Sequence, residues 1–265
     1  MMTANESPFP ARPGPPFAGR TALVVGASRG IGAATARLFA ERGARVILAS
    51  RDLAGLERLA TEIRSHGGDA LAVRADLADP ASIREMGRVA AAAGPHLDFA
   101  FNNAGDGYPP TPLAEVPADA FARVLGTTVT GTFLAMKEEI PLMLRGGAGG
   151  ALVNMASTAG VSAYPGGGAY IAAKHAIIGL TKSAAIDYAA RGVRVNVVAP
   201  GPIETERLAG MPEEYRERTR QAVPMRRLGR PEEVGATVLW LCGDESRFLT
   251  GSTVFVDGGR MAGFA

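Results

Sequence analysis

From Thr21 onward, short runs rich in apolar and β-branched residues alternate with longer stretches whose apolar positions recur at helical spacing. TALVV reads as a first strand, and AATARLFAERG after it reads as a helix ending at Gly43. ARVILAS is a second strand, followed by a helix over 52–66, and ALAVRA is a third strand ending at Asp76. Asp79 and Pro80 open the next helix, with a capping carboxylate followed by proline at the first helical position. LDFAFNNAG is a fourth strand running into a polar turn, and helices are expected at 117–127 and 128–145. A glycine-rich hinge, 146–150, leads to strand ALVNMAS; a long helix over 169–190 and strand VRVNVVA follow. The charged stretch 205–221 reads as one helical segment, 231–241 as another helix, and STVFVDGG as a seventh strand. Strand and helix alternating at this spacing imply a parallel sheet covered on both faces.

Right-handed crossovers reduce the arrangements to a single doubly wound Rossmann α/β domain, a seven-stranded parallel sheet with helices on both faces. At 265 residues the chain holds one such domain, assigned to 19–265. Residues 1–18 carry five prolines and no periodic apolar pattern, and are expected to form a flexible tail.

Composition narrows the function class. A net charge of +2 is too balanced to imply nucleic acid or an anionic membrane surface as partner. No apolar run reaches the ~18 residues a membrane helix needs. The one cysteine, Cys242, sits in the apolar context VLWLCG and reads as a buried thiol. Together with the absence of a basic, apolar leader, this gives a cytoplasmic location by default. His66, His96 and His175 show no metal-binding spacing, so no metal is expected.

Two patterns carry chemistry. Gly26-Ala27-Ser28-Arg29-Gly30-Ile31-Gly32 lies between the first strand and the first helix, where backbone can approach a pyrophosphate and a helix N-terminus offers its N–H groups. Further along, Tyr170 and Lys174 are four residues apart and share a helix face, with Ser157 thirteen residues upstream across a Gly/Pro loop. A hydroxyl, a phenol and an ammonium of this kind suit acid–base work at a carbonyl, with the cation lowering the phenol's pKa.

GASRGIG, Asp76, Asn102-Asn103-Ala104-Gly105, Ser157, Tyr170 with Lys174, and Pro200-Gly201-Pro202-Ile203-Glu204-Thr205 occur in an order that resembles the short-chain dehydrogenase/reductase family, over nearly the whole chain. The resemblance implies hydride transfer between a nicotinamide dinucleotide and a small carbonyl or alcohol substrate, with Tyr170 as general acid/base, Ser157 on the substrate oxygen, and Lys174 on the phenol and the nicotinamide ribose. It implies cofactor contacts from Gly26, Ser28, Arg29, Gly30, Ile31 and Gly32. Further contacts would come from Asp76 and Leu77 toward adenine, Asn103, Ala104 and Gly105 beneath the adenosine ribose, and Pro200, Gly201, Ile203 and Thr205 at the nicotinamide end. It also implies a homotetramer or homodimer.

Two positions depart from the family's pattern. Val25 stands where a threonine usually bridges the first and fourth strands, and Thr128 where a fourth catalytic residue is usually asparagine. A threonine keeps the backbone carbonyl, and its hydroxyl is expected to bond back into the preceding turn.

Cofactor choice turns on Ser50 and Arg51 at the end of the second strand. No carboxylate stands there to accept from a ribose 2′-hydroxyl, while Arg51 and Arg29 suit a 2′-phosphate. NADP(H) is favoured and NAD(H) remains open. The expected substrate is a ketone or secondary alcohol; a 3-oxoacyl thioester, or a catalytically weak dinucleotide-binding sensor or scaffold, is the alternative. Tyr108, Tyr164 and the glycines at 166–168 predict a pocket with apolar faces and no fixed cation.

Overall fold

The computed structural model describes residues 14–263. Seven parallel strands form one sheet: β1 (Thr21–Val25), β2 (Arg45–Ser50), β3 (Asp69–Arg74), β4 (Phe99–Asn102), β5 (Gly150–Met155), β6 (Val193–Pro200) and β7 (Thr253–Val256), in the order β3-β2-β1-β4-β5-β6-β7. The chain moves outward from β1 through β2 to β3, then returns to start again beside β1 at β4. That reversal opens a crevice at the carboxyl ends of β1 and β4, where doubly wound sheets bind ligands. Register places Val25 against Asn102 and Asn102 against Asn154, so three strands end level with one another beneath the crevice.

Each face of the sheet carries its own helices. One core gathers Phe39 of α1 (Gly30–Glu41), Leu56 of α2 (Leu53–Ser65) and Leu239 of α9 (Pro231–Cys242) around Val24, Leu48 and Phe101. The opposite core gathers Met86 of α3 (Pro80–Ala93) and Met143 of α5 (Gly131–Met143) around Leu23, Ile47 and Leu152, with Ala184 of α6 (Gly168–Tyr188) at its edge. Alternate residues of one strand thus feed opposite cores, as a two-sided sheet requires.

Asp52 and Asp79 cap α2 and α3, each accepting from a backbone N–H in the first turn. α4 (Ala118–Leu125) runs into a π turn at Gly126–Thr130 and then into α5, so the segment read as two abutting helices carries a widened turn at its join. The stretch 205–221, expected as one helix, is two: α7 (Glu206–Ala209) and α8 (Glu213–Gln221). Gly210 and Pro212 explain the break, because proline disfavours helical backbone in the residue before it.

Residues 14–18, expected to belong to a flexible tail, pack on the core. Phe17 is buried, its ring 4.7 Å from Phe99 and 5.8 Å from Phe39, and its N–H donates to the Arg42 carbonyl. One aromatic side chain thus ties 14–18 to the core despite the prolines around it; residues 1–13 lie outside the described residues. Cys242 is buried, and burial pushes its thiol up to about 12. Among the described residues no helix is long and apolar enough to cross a membrane.

Candidate active site

The glycine loop closes the crevice from the β1 side. Gly26 has φ +84° and Gly30 φ +55°, backbone that side chains rarely adopt. A methyl on Gly26 would lie 2.8 Å from the Ala104 nitrogen, and one on Gly32 only 2.1 Å from the Gly26 carbonyl oxygen. The loop can fold this tightly only without side chains. Asn103 fastens it by donating from Nδ2 to the Gly26 carbonyl at 2.9 Å. With valine at position 25, the backbone supplies the bridge between strands: Asn103 and Ala104 N–H both donate to the Val25 carbonyl.

A cavity of about 340 Å³ lies beside this loop, lined among others by Ser28, Arg29, Ser50, Arg51, Asp76 and Gly105. Every residue assigned to the adenosine half thus reaches one space. Ser50 Oγ accepts from the Asp52 N–H, and Asp52 is occupied as the cap of α2, so the end of β2 presents the exposed Arg51 to this space. Asp76 accepts from Ala78 N–H and therefore also shapes its own turn. The glycine cradle, the free N–H groups at the start of α1 and the paired arginines fit a dinucleotide.

A second cavity, about 270 Å³, adjoins the first at Asn103 and Gly105 and is lined by Ile31, Ser157, Tyr170, Lys174, Pro200, Gly201, Ile203, Thr205 and Arg207. Ser157 follows β5 while Tyr170 and Lys174 sit in the first two turns of α6, so the Gly/Pro loop does fold the serine back onto the helix face. Burial holds the Tyr170 phenol above its ordinary pKa, and the nearby Ser157 hydroxyl draws it partly back down.

Lys174 lines the same cavity. Its ammonium is fully buried and donates to the Met155 carbonyl at 2.8 Å, 5.7 Å from the Tyr170 ring centre. Arg207 adds a positive charge that draws the phenol down against burial. Burial brings the lysine itself down to about 8.

Thr128 lies in the π turn, a form frequent at functional sites. Its hydroxyl accepts from the Asp106 N–H at 2.9 Å, so it bonds across to the loop after β4 and not back into its own turn. Thr128 Oγ1 and Lys174 Nζ lie 3.6 and 3.5 Å from the point where a Gly105 methyl would stand.

Arg207 was not foreseen, and it overturns the expectation of a pocket without a fixed cation. Its guanidinium reaches back from α7 over Gly107, beside the Tyr170 ring. The only signal in the chain is its place two residues after the Pro-Gly-Pro-Ile-Glu-Thr stretch. Glu139 also escaped notice: fully buried in α5, it accepts from Asn102 Nδ2 at 2.9 Å, and desolvation raises its carboxyl to about 7. Asn102 donates as well to Asn154, which in turn donates to Thr181, forming a polar row beneath the crevice.

Comparison with known proteins agrees with this geometry. Residues 26–260 match a family described as enoyl-(acyl carrier protein) reductase. The chain is 42% identical to a cis-4-hydroxycyclohexanecarboxylate dehydrogenase of Sinomonas cyclohexanicum, covering 94% of this chain and 99% of that protein. It is 38% identical to a cyclohexanol dehydrogenase of an Acinetobacter species, over 91% and 95%. Among solved structures, a short-chain type dehydrogenase/reductase from Mycobacterium marinum superimposes with a TM-score of 0.87 at 34% identity, covering 93% of this chain and 97% of that one. The chain belongs to the short-chain dehydrogenase/reductase family. It is an oxidoreductase of the alcohol/ketone type, from a family that binds NAD(P).

Proposed function

We propose that this protein interconverts a ketone and a secondary alcohol with NADP(H), Tyr170 acting as general acid/base. The observation that carries the reading is the convergence of Ser157, Tyr170 and Lys174 on one cavity that adjoins the glycine cradle. When bound, the nicotinamide ring supplies the hydride in reduction and accepts it in oxidation.

In reduction, Ser157 orients the carbonyl oxygen and Tyr170 gives it the phenol proton as negative charge develops there. Burial keeps the phenol protonated until that moment, and Lys174, poised near 8 on the Met155 carbonyl, sits where a proton can be returned to it. Thr128 holds the Asp106 loop against Lys174. Arg51 and Arg29 support NADP(H), since the end of β2 offers a 2′-phosphate two guanidiniums and no uncommitted carboxylate. Relatives named for cyclohexanol and hydroxycyclohexanecarboxylate support an alicyclic substrate.

The apolar surface at Ile186, 82% exposed, and Phe248, fully exposed, supports a homodimer or homotetramer, which light scattering reads directly. We assign the protein to the cytoplasm.

The test follows NADPH oxidation with a panel of ketones and acyl thioesters. Cyclic ketones should be reduced, and Tyr170→Phe should abolish turnover while leaving NADPH binding in place. Reduction of thioesters alone would redirect the assignment to 3-oxoacyl substrates. NADPH binding with no carbonyl reduced, and no effect of Tyr170→Phe, would leave a sensor or scaffold.

A further inference from the structure

We propose that Arg207 forms an anion subsite at the mouth of the second cavity, and that the substrate carries a carboxylate held there while its carbonyl meets Ser157 and Tyr170. The inference rests on the ketone reading above and deepens it.

The geometry is that of a cation laid over bare backbone. A methyl built on Gly107 would stand 3.5 and 3.6 Å from the two Nη atoms of Arg207, and 3.9 Å from Cδ2 of Tyr170. Both terminal nitrogens therefore lie beside the glycine, next to the catalytic ring. A planar fork in this place can grip a carboxylate through two charge-assisted hydrogen bonds.

Four acids of the surrounding elements are already committed. Asp106, the acid closest in chain to Gly107, pairs with Arg123 and accepts from the Gly107 N–H. On the neighbouring α8, Glu213 and Glu217 pair with Arg216 and Arg220. Glu233 of α9 pairs with Arg227. Glu206, adjacent to Arg207, turns the other way: its Oε2 lies 3.5 Å from the position of a Gly30 methyl, and its charge acts on Arg37. Among the described residues Arg207 has no carboxylate partner, although it stands among acids.

Its charge is nevertheless felt inside the site. It draws down both the Tyr170 and Tyr164 phenols against the effect of burial, and Arg260 acts on Tyr164 in the same sense. An incoming anion meets positive potential from two arginines. The alternative ligand for such a cation is a cofactor phosphate, and the local arrangement argues against it. Thr205 and the Glu206 carboxylate face the glycine loop, whereas Arg207 faces Gly107 on the Tyr170 side.

The test uses the full chain, NADPH, and a series of oxo acids with ketone and carboxylate spaced by one to four carbons, each beside its methyl ester. At least one acid should exceed its ester in kcat/KM by about tenfold, the order expected of a hydrogen bond to a charged group. Arg207→Ala should collapse that ratio through the KM of the acid, Arg207→Lys should keep part of it, and Arg207→Glu should place the acid below the ester. Arg218→Ala, an exposed cation on α8, should leave the ratio unchanged. Esters favoured at every spacing, or a ratio indifferent to Arg207→Ala, would overturn the subsite. So would a loss of NADPH affinity by calorimetry in Arg207→Ala with the ratio intact, since the cation would then serve the cofactor. If no ketone is reduced in either form, the ketone reading itself has failed. Calorimetric binding of the acids to the NADPH complex then decides the subsite: binding that vanishes in Arg207→Ala supports it, and no binding to the native chain overturns it.

Discussion

Lys174 and Met155 are joined by one hydrogen bond that spans two elements: the ammonium on α6 donates 2.8 Å to the carbonyl that ends β5. Among the described residues no carboxylate pairs with this ammonium, so a carbonyl dipole holds the charge, and burial takes the lysine down to about 8.

Holding that charge costs stability, and the sign can be worked out. The folded value lies below the ordinary 10.5, so the unfolded chain binds the proton more readily. Stability is therefore greatest above about 10.5, is lost as the pH falls toward about 8, and stays reduced below it. Lys174→Met should raise Tm at pH 7 by about 2 °C or more and remove the lysine's contribution to the rise between pH 8 and 10. The same variant should lose about hundredfold or more in kcat. Melting curves across pH beside steady-state rates check both; a less stable, inactive variant would contradict the assignment.

Glu139 gives the opposite sign. Its carboxyl is raised from 4.5 to about 7, so the folded chain binds the proton more readily. The stability it contributes is present below about 4.5 and is lost as the pH rises through about 7. Glu139→Gln should match the native protein near pH 5 and melt higher at pH 8. Equal melting differences at both values would show that the carboxyl does not titrate in this window.

Gly32→Ala should nearly eliminate NADPH binding, because the new methyl would meet the Gly26 carbonyl at 2.1 Å and force the cradle open. Isothermal calorimetry with NADPH reads this directly, and circular dichroism confirms that the sheet has formed. Affinity within twofold of native would mean that the loop is not the phosphate site.

Ser50→Asp should move cofactor preference toward NAD(H) by about tenfold or more in the ratio of kcat/KM values. A carboxylate at the end of β2 would repel a 2′-phosphate beside Arg51 and accept from a free 2′-hydroxyl. An unchanged ratio would remove Ser50 and Arg51 from the discrimination.

Much of this was legible in the chain because the relevant information is local. The loop between β1 and α1 is written in glycine spacing, and Tyr170 and Lys174 meet because four residues make roughly one helical turn. What escaped depends on partners distant in sequence. The Thr128 hydroxyl goes to an amide 22 residues away, which no propensity within the π turn reveals. Arg207 reads as one more solvated charge in a charged stretch until the turn at Gly210–Pro212 splits the helix and sets α7 over Gly107. Phe17 looked like part of a proline-rich tail because composition averages over a window, whereas one aromatic ring suffices to bury a segment. Glu139 broke the expectation that an acid on a helix faces water.

Phe17 packs just ahead of β1, against Phe99 at the start of β4, whereas Gly26, Asn103 and Ser157 all follow the far ends of their strands. The aromatic clasp and the reacting groups are separated by the full length of the sheet. A chain tethered to a surface through residues ahead of Phe17 would therefore stand with its crevice turned away from the support, open to substrate from solution.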